Sequence, residues 1–317
     1  MRVLKMSKPQ GVFLDAETLQ LDSLNCTALN QLAVSLTCYP TTGPEEVKSR
    51  IEHADFVLVN KVVLDEAALK TAVNLKYIGV TATGMNNIDL DFCNANNIKV
   101  QNVEGYGTDS VAQHTLMLIL NLATQFPRYQ QQVTQGAWST SSHFCLLDFP
   151  ITQLADKHAV ILGHGELGKR VEHLLTGLGM QVSIAARPGK KDDPRPSLAS
   201  LLPSADVVTL HCPLTDDNKH IINSQTLGLM KPSSILVNTA RGGLIDENAL
   251  LTALKQGQIG GAGLDVLSVE PPPKDHPLMQ ARLPNLLISP HNAWGALASR
   301  QRLLDIVVKH LNNFITA

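Results

Sequence analysis

His158-Ala159-Val160-Ile161-Leu162, followed by Gly163-His164-Gly165-Glu166-Leu167-Gly168, is the stretch that decides the fold. Its first five residues are a short apolar run with β-branched members, the pattern of a buried strand. Lys169 to Met180 then reads as a helix, with Leu167, Val171, Leu174, Leu175 and Leu178 at helical spacing. Gln181 to Ala186 is a second apolar run. Strand, glycine turn, helix and strand in that order give G-x-G-x-x-G its meaning as a dinucleotide site, which a glycine turn alone lacks. Gly163 permits the tight turn, Gly165 lets backbone approach a pyrophosphate, and Gly168 lets the helix pack closely on the strand. The helix N-terminus adds free N–H groups and a partial positive charge. Glu166 fits this picture only if its carboxylate turns away from the phosphates.

On the N-terminal side, strands and helices already alternate. Gly11 to Leu14, Ala33 to Leu36, Phe56 to Val59, Tyr77 to Val80 and Ile98 to Val103 read as strands, with helices over Glu45 to Ala54 and Asp65 to Ala72. Such alternation predicts a parallel sheet covered by helices. Ser110 to Thr124 is apolar nearly all round, which predicts burial between domains or subunits. Gln130 to Phe149 is polar and irregular, carries Trp138 and Phe144, and reads as an arm that embraces another subunit. From His158 the pattern restarts, with later strands at Val207 to Leu210, Ile235 to Asn238, Gly263 to Val266 and Leu286 to Ile288. Ala296 to Phe314 is an amphipathic helix that can return to the first unit. The expectation is an α/β protein of two doubly wound parallel-sheet domains. A flavodoxin-like substrate domain (residues 1–102 and 291–317) is interrupted by a Rossmann dinucleotide-binding domain (residues 103–290).

Composition narrows the function classes. The 317 residues suffice for two domains, and a net charge of −2 gives no basic face for nucleic acid. The five cysteines are scattered without C-x-x-C, which reads as reduced thiols and no structural metal site. Met1 to Lys8 is basic but lacks the apolar core of a signal peptide, and no run is long enough for a bilayer. A soluble cytoplasmic protein is expected. Among the eleven histidines no H-x-x-x-H pair marks a metal site, and no G-x-S-x-G marks a nucleophile.

Three polar residues follow later strands. Arg241 comes after Ile235–Asn238, Glu270 after Leu264-Asp265-Val266, and His291 after Leu287-Ile288-Ser289-Pro290. Carboxyl ends of parallel strands converge on one crevice, so the three can meet there. An arginine fork binds a planar carboxylate through two oxygens. A histidine suits proton transfer near neutral pH, and a neighbouring glutamate holds its ring in one orientation. Together they make a site for reducing a 2-keto acid: Arg241 anchors the carboxylate, a nicotinamide gives hydride to C2, and His291 protonates the oxygen. Taken singly, each has a plainer reading as a solvated strand-end or loop residue.

At these residues the sequence resembles the D-isomer-specific 2-hydroxyacid dehydrogenase family over nearly the whole chain. The glycine motif, Asn238-Thr239-Ala240-Arg241-Gly242-Gly243, Gly263-Leu264-Asp265-Val266 with Glu270-Pro271, and Ser289-Pro290-His291 are similar to its four signatures, in order. The resemblance implies substrate binding by Arg241, a Glu270–His291 pair with His291 as acid/base, and a carboxylate clamp at the Thr83-Gly84 turn. It also implies dinucleotide contacts at Thr108, Gly163, Gly165, Glu166, Leu167, Gly168, Cys212, Pro213, Thr239, Ala240 and Asp265. Ala82 to Asn87, Asn102 to Tyr106, Phe144 to Asp148 and His291-Asn292-Ala293-Trp294 resemble the glycerate dehydrogenase (hydroxypyruvate reductase) branch. Hydroxypyruvate is therefore the expected substrate, with glyoxylate, D-lactate and phosphoglycerate enzymes as alternatives. Phosphoglycerate is disfavoured because no regulatory extension follows the last helix. A homodimer is expected.

One departure concerns the cofactor. NAD enzymes place an acid at the end of the second strand, where it holds the ribose hydroxyls. Ala186 and Arg187 occupy that place here, with Lys190 and Lys191 beyond. An arginine there accepts a 2′-phosphate, so NADPH is expected to be at least tolerated alongside NAD; a solvated basic loop is the plain alternative. A rival of another class is an NAD(H)-sensing corepressor-like binding protein, which the same three polar residues do not exclude.

Overall fold

The computed structural model describes residues 8–190 and 192–316, so Arg2 and Lys5 of the basic N-terminus, and Lys191, lie outside the described residues. The chain divides into two units, residues 1–107 with 295–317, and residues 108–294.

In the first unit, β1 (Gln10–Phe13), β2 (Ser35–Cys38), β3 (Phe56–Val59), β4 (Tyr77–Val80) and β5 (Lys99–Gln101) form one sheet in the order β2-β1-β3-β4-β5. All its pairs are parallel. β3 and β4 are buried at every position, which explains why they read as continuous apolar runs without alternation. The edge strand β2 is mostly exposed and lies two residues beyond the predicted Ala33–Leu36, because an edge strand needs little apolar patterning and its register is set by pairing Gln10 with Ser35. Beyond β1, the buried carboxylate of Asp15 accepts the backbone N–H groups of Asn60, Lys61 and Val62 at 2.8, 2.6 and 3.2 Å. It thereby ties the exit of β1 to the exit of β3. The C-terminal helix Leu297–Thr316 buries Leu303, Leu304, Val307, Val308 and Leu311. Its Phe314 stacks on Tyr77 of β4, ring centres 4.8 Å apart.

In the second unit, β6 (His158–Leu162), β7 (Gln181–Ala185), β8 (Val207–Leu210), β9 (Ile235–Asn238), β10 (Gly261–Leu264) and β11 (Leu286–Ile288) form a sheet ordered β11-β10-β9-β8-β6-β7. Every pair is again parallel. The chain goes from β6 to β7 on one side and returns to β8 on the other, so strand order reverses between β6 and β8. That reversal is where open α/β sheets bind ligands.

Further expectations change. β10 begins at Gly261, two residues before the predicted Gly263, because its glycines lie under the helix Thr108–Thr124. A Cβ on Gly263 would stand 3.0 Å from Leu118 Cβ, and one on Gly261 would stand 3.0 Å from Leu122 Cδ2. That helix buries Ala112, Leu118, Ile119, Leu122 and Ala123 in the core of the second unit's own sheet, which accounts for its apolar character. The expected irregular segment starts inside a helix, Phe126–Thr134, with a proline in its first turn. The division of the chain also falls later than the expected 102/103 and 290/291. Thr108 opens the helix just described, and the N–H groups of Asn292 and Ala293 bind Asp265, so His291 belongs with the second unit.

Candidate active site

The glycine loop shows why each glycine is there. Gly163 has φ +99, and a Cβ on it would lie 2.5 Å from the carbonyl carbon of His211 and 2.6 Å from the nitrogen of Cys212. The loop thus crosses the exit of β8 at the strand reversal with no room for a side chain. A Cβ on Gly168 would lie 2.0 Å from the Gly163 carbonyl oxygen. Gly165 is the N-cap of the helix Glu166–Gly177, and a Cβ on it would meet nothing within 4 Å. Open space in front of a bare N-cap is what a pyrophosphate requires, so these residues fit a dinucleotide. Glu166 is turned aside: its Oε1 accepts a hydrogen bond from the Thr108 hydroxyl at 2.8 Å. Leu167 packs against the core.

The neighbouring strand exits are fixed from within. His211, whose Nδ1 is buried, bonds the Thr209 hydroxyl through Nε2 at 2.9 Å. Burial pushes its imidazole down to about 3, so the ring is neutral at working pH. Burial likewise pushes the Cys212 thiol up to about 11, keeping it protonated. Asn218 holds the turn beyond by donating to the Pro213 carbonyl at 2.7 Å. Thr239 shares a 3.0 Å hydrogen bond with Thr115, and the Ala240 N–H donates to Asn238 Oδ1 at 3.0 Å.

At the exit of β7, Arg187, Gly189, Lys190, Asp192, Asp193, Pro194 and Arg195 line an open cleft of about 660 Å³. Asp193 accepts the Arg187 N–H at 2.9 Å and the Arg195 Nε–H at 2.8 Å. Those bonds, with the Arg195 guanidinium first, hold the Asp193 carboxyl far below the usual carboxylate range. The nearby acid is therefore occupied by protein donors, while Arg187 and Lys190 face the cleft. The sequence pointed to Arg187 but gave no sign of Arg195 and its clamp, since two loop charges two residues apart carry no pattern of their own.

Asn238 of β9 pairs with Leu264 of β10, and Leu264 pairs with Ile288 of β11. Arg241 and His291 each follow three residues after one of these aligned positions, and Glu270 follows six after the one between. Adjacent strands lie about 4.8 Å apart, so three neighbouring strand ends carry the guanidinium, carboxylate and imidazole. Arg241 donates from Nη1 to the Ala240 carbonyl at 2.6 Å, and its own carbonyl accepts from Asn238 Nδ2 at 2.8 Å. Glu270 divides its oxygens. Oε1 accepts the Leu267 N–H at 2.9 Å, and Oε2 lies 2.6 Å from His291 Nδ1. Nδ1 engaged in this way leaves Nε2 for a ligand. The side chains of His291 and Glu270 are 31% and 33% exposed, open enough for a small molecule to reach.

His291 adopts φ +49, the left-handed region that non-glycine residues avoid. Such a conformation persists only where surroundings over-determine it, and here they do. Asp265, 2% exposed, accepts the Ser289 hydroxyl at 2.7 Å and the N–H groups of Asn292 and Ala293 at 3.0 Å each. His114 Nε2 bonds the same Ser289 hydroxyl at 2.8 Å and stands 3.5 Å from Asp265. Trp294 Nε1 donates to the His291 carbonyl at 3.0 Å. Asp265, expected among the dinucleotide contacts, has both oxygens bound to the segment that carries His291. His114 lies on a helix 175 residues away from Ser289 in sequence, so no local pattern announced it. Thr83 and Gly84 belong to the first unit, in the loop after β4, where the Thr83 hydroxyl donates to the Val103 carbonyl at 3.0 Å and Asn102 Nδ2 donates to the Thr83 carbonyl at 2.7 Å.

Residues 116–293 match the D-isomer specific 2-hydroxyacid dehydrogenase NAD binding domain. The chain belongs to the D-isomer-specific 2-hydroxyacid dehydrogenase family. Within that family it is 40% identical to a glycerate dehydrogenase of Methylorubrum extorquens over 87% of each chain. It is 35% identical to a hydroxypyruvate reductase of Blautia hydrogenotrophica over 96% of each. Among solved structures it is similar to the D-lactate dehydrogenase of Aquifex aeolicus complexed with NAD and lactic acid, with a TM-score of 0.81 and 28% identity over 96% of this chain and 95% of that one. Two parallel-sheet domains, one of them a Rossmann unit for a nicotinamide dinucleotide, are thus the family's architecture and this chain's. No helix among the described residues is long and apolar enough to cross a membrane.

Proposed function

We propose that this dehydrogenase reduces hydroxypyruvate to D-glycerate with NADPH or NADH. The observation that carries the reading is the His291–Glu270 pair at 2.6 Å, on strand ends aligned with that of Arg241. The names of the two relatives support hydroxypyruvate as the substrate.

The dinucleotide, bound at the glycine loop, supplies the hydride. Arg241 binds the substrate carboxylate through two nitrogens and draws electron density from the adjacent C2 carbonyl. His291, charged, donates its Nε2 proton to the C2 oxygen and is left as the tautomer with hydrogen on Nδ1. Glu270 fixes that tautomer, because its Oε2 accepts the Nδ1 hydrogen before and after transfer. In the oxidative direction the bare Nε2 takes the hydroxyl proton. Glu270 itself is held by the Leu267 N–H and so keeps the imidazole plane constant.

The cleft of Arg187, Lys190 and Arg195 supports use of NADPH, since two or three cations there match a 2′-phosphate. Phe144 and Leu147, 90% and 76% exposed, support a homodimer that covers the 130–149 segment. The scattered free thiols support a cytoplasmic location.

Absorbance at 340 nm with NADPH and NADH against hydroxypyruvate, glyoxylate, pyruvate and 3-phosphohydroxypyruvate tests the reading. Hydroxypyruvate is expected to give the highest kcat/KM. His291→Ala should mainly lower kcat, and Arg241→Ala should also raise KM sharply. No turnover of any keto acid, with dinucleotide binding intact, would refute the assignment and favour a sensor.

A further inference from the structure

Outside the groups that face substrate, one partly buried carboxylate is engaged more fully than its own helix requires. Glu247 is the first residue of the helix Glu247–Lys255. The N–H groups of that helix end are already served by Asp246, whose side chain accepts from Asn248 and Ala249. Glu247 instead reaches across 21 residues to the loop after β10. Its Oε1 accepts the Ser268 N–H at 2.8 Å, and its Oε2 accepts the Ser268 hydroxyl at 2.7 Å. His276, 6% exposed, adds a third contact from Nε2 to Oε2 at 3.2 Å. The Glu247 side chain is itself only 16% exposed, and it grips the exposed Ser268 at both its backbone and its side chain.

The gripped residue sits at a decisive place. Ser268 directly follows Leu267, whose N–H fixes Oε1 of Glu270. On the opposite side the Leu267–Ser268 peptide packs against Gly242, where a Cβ would lie 2.0 Å from the Leu267 carbonyl carbon and 2.4 Å from the Ser268 nitrogen. Held between Gly242 and Glu247, this peptide has one position, and the carboxylate of Glu270 takes its place from it. We propose that Glu247 is a positioning residue for the reaction: by pinning Ser268 it sets the Leu267–Glu270 turn, and through it the orientation of His291. The Arg241 carbonyl has its own donor in Asn238 Nδ2, and the Gly243 carbonyl accepts the His220 N–H, so loss of Glu247 should act on the proton donor more than on the substrate anchor.

This inference rests on the reading of His291 as the acid/base, and its test separates the two. In reduction of hydroxypyruvate with NADPH, Glu247→Ala is expected to lower kcat at least tenfold, because small misplacements of a reacting group carry large rate costs. KM for hydroxypyruvate and the Kd for NADPH should stay within twofold. Glu247→Gln, which keeps one acceptor oxygen, should lose less. In a Glu270→Gln background, Glu247→Ala should lower kcat by less than twofold, since the group it positions is already lost. An equal fall in both backgrounds, or unchanged kcat in the single variant, overturns the proposal. Should Glu247→Ala fail to fold, Ser268→Ala removes one of the bonds from an exposed position, and its smaller fall in kcat should vanish in the same background. A crystal structure of either variant gives a readout independent of substrate. The His291 Nδ1–Glu270 Oε2 distance should lengthen beyond hydrogen-bonding range, and an unchanged pair at 2.6 Å would refute the role.

Discussion

The three glycines of the dinucleotide loop should separate folding from binding when each is changed to alanine. At Gly165 the new methyl meets nothing in the protein within 4 Å. The backbone there has φ −77, open to any residue. The cost to stability is that of a poorer N-cap, below about 1 kcal/mol, which lowers Tm by no more than about 4 °C in a unit of this size. The methyl nonetheless occupies the space through which backbone N–H groups approach a phosphate. Loss of one charge-assisted hydrogen bond, about 1.5–3 kcal/mol, weakens NADPH binding by roughly 10- to 100-fold. At Gly168 the methyl would collide with the Gly163 carbonyl oxygen at 2.0 Å, backbone that cannot rotate away. Overpacking of that kind costs about 1–3 kcal/mol. Gly163→Ala adds the penalty of a left-handed conformation to its contacts with His211 and Cys212. Thermal unfolding without ligand, beside NADPH titration followed by fluorescence, reads both quantities on each variant. A Gly165→Ala protein that loses as much stability as Gly168→Ala, yet binds NADPH normally, would refute this account of the loop.

Arg187→Ser should weaken NADPH by about 10- to 100-fold, the worth of a charged hydrogen bond, and leave NADH nearly unchanged; equal effects on both cofactors in KM measurements would remove Arg187 from the 2′-phosphate. Asp265→Asn should lower kcat by an order of magnitude or more while NADPH affinity holds, because an amide has one acceptor oxygen for donors that now use two; unchanged kcat would show that His291 keeps its conformation without the carboxylate. His211 makes stability depend on pH. Its folded pKa is about 3 against an ordinary 6.5, so the unfolded chain binds the proton first. Stability is complete above about pH 6.5 and falls on acidification towards pH 3, by up to about 1.4 kcal/mol per pH unit. Urea unfolding of His211→Leu should show a shallower acid slope than the parent, and identical slopes would contradict the burial argument.

Much of this was legible in the chain. β3, β4, β6, β8, β9 and β11 lie where the apolar runs place them, and all but the half-buried edge strand β11 owe this to burial on both faces, which leaves continuous patterns. The strands that Arg241, Glu270 and His291 follow are neighbours in the sheet, and the expected Glu270–His291 pair is formed. β10 begins two residues before the expected Gly263, at glycines that leave no apolar signal and are there for contact with Leu118 and Leu122. The contacts behind the site were hidden, even where a residue such as Asp265 was expected in another role. His114, Ser289 and Asp265 form one network, and Glu247, Ser268 and His276 another. Each joins residues from separate elements, and ordinary polar side chains give no periodic signal of where the fold will bring them.

The left-handed backbone at His291 has a consequence for how this enzyme responds to selection. A conformation of that kind stores energy on the order of 1–3 kcal/mol, and glycine or asparagine at residue 291 would release it. Such a substitution would be favoured in any screen that rewards heat resistance alone, while removing the proposed proton donor. Robustness and turnover are therefore opposed at a single residue, and a library sorted for one should drift away from the other at residue 291 before most others.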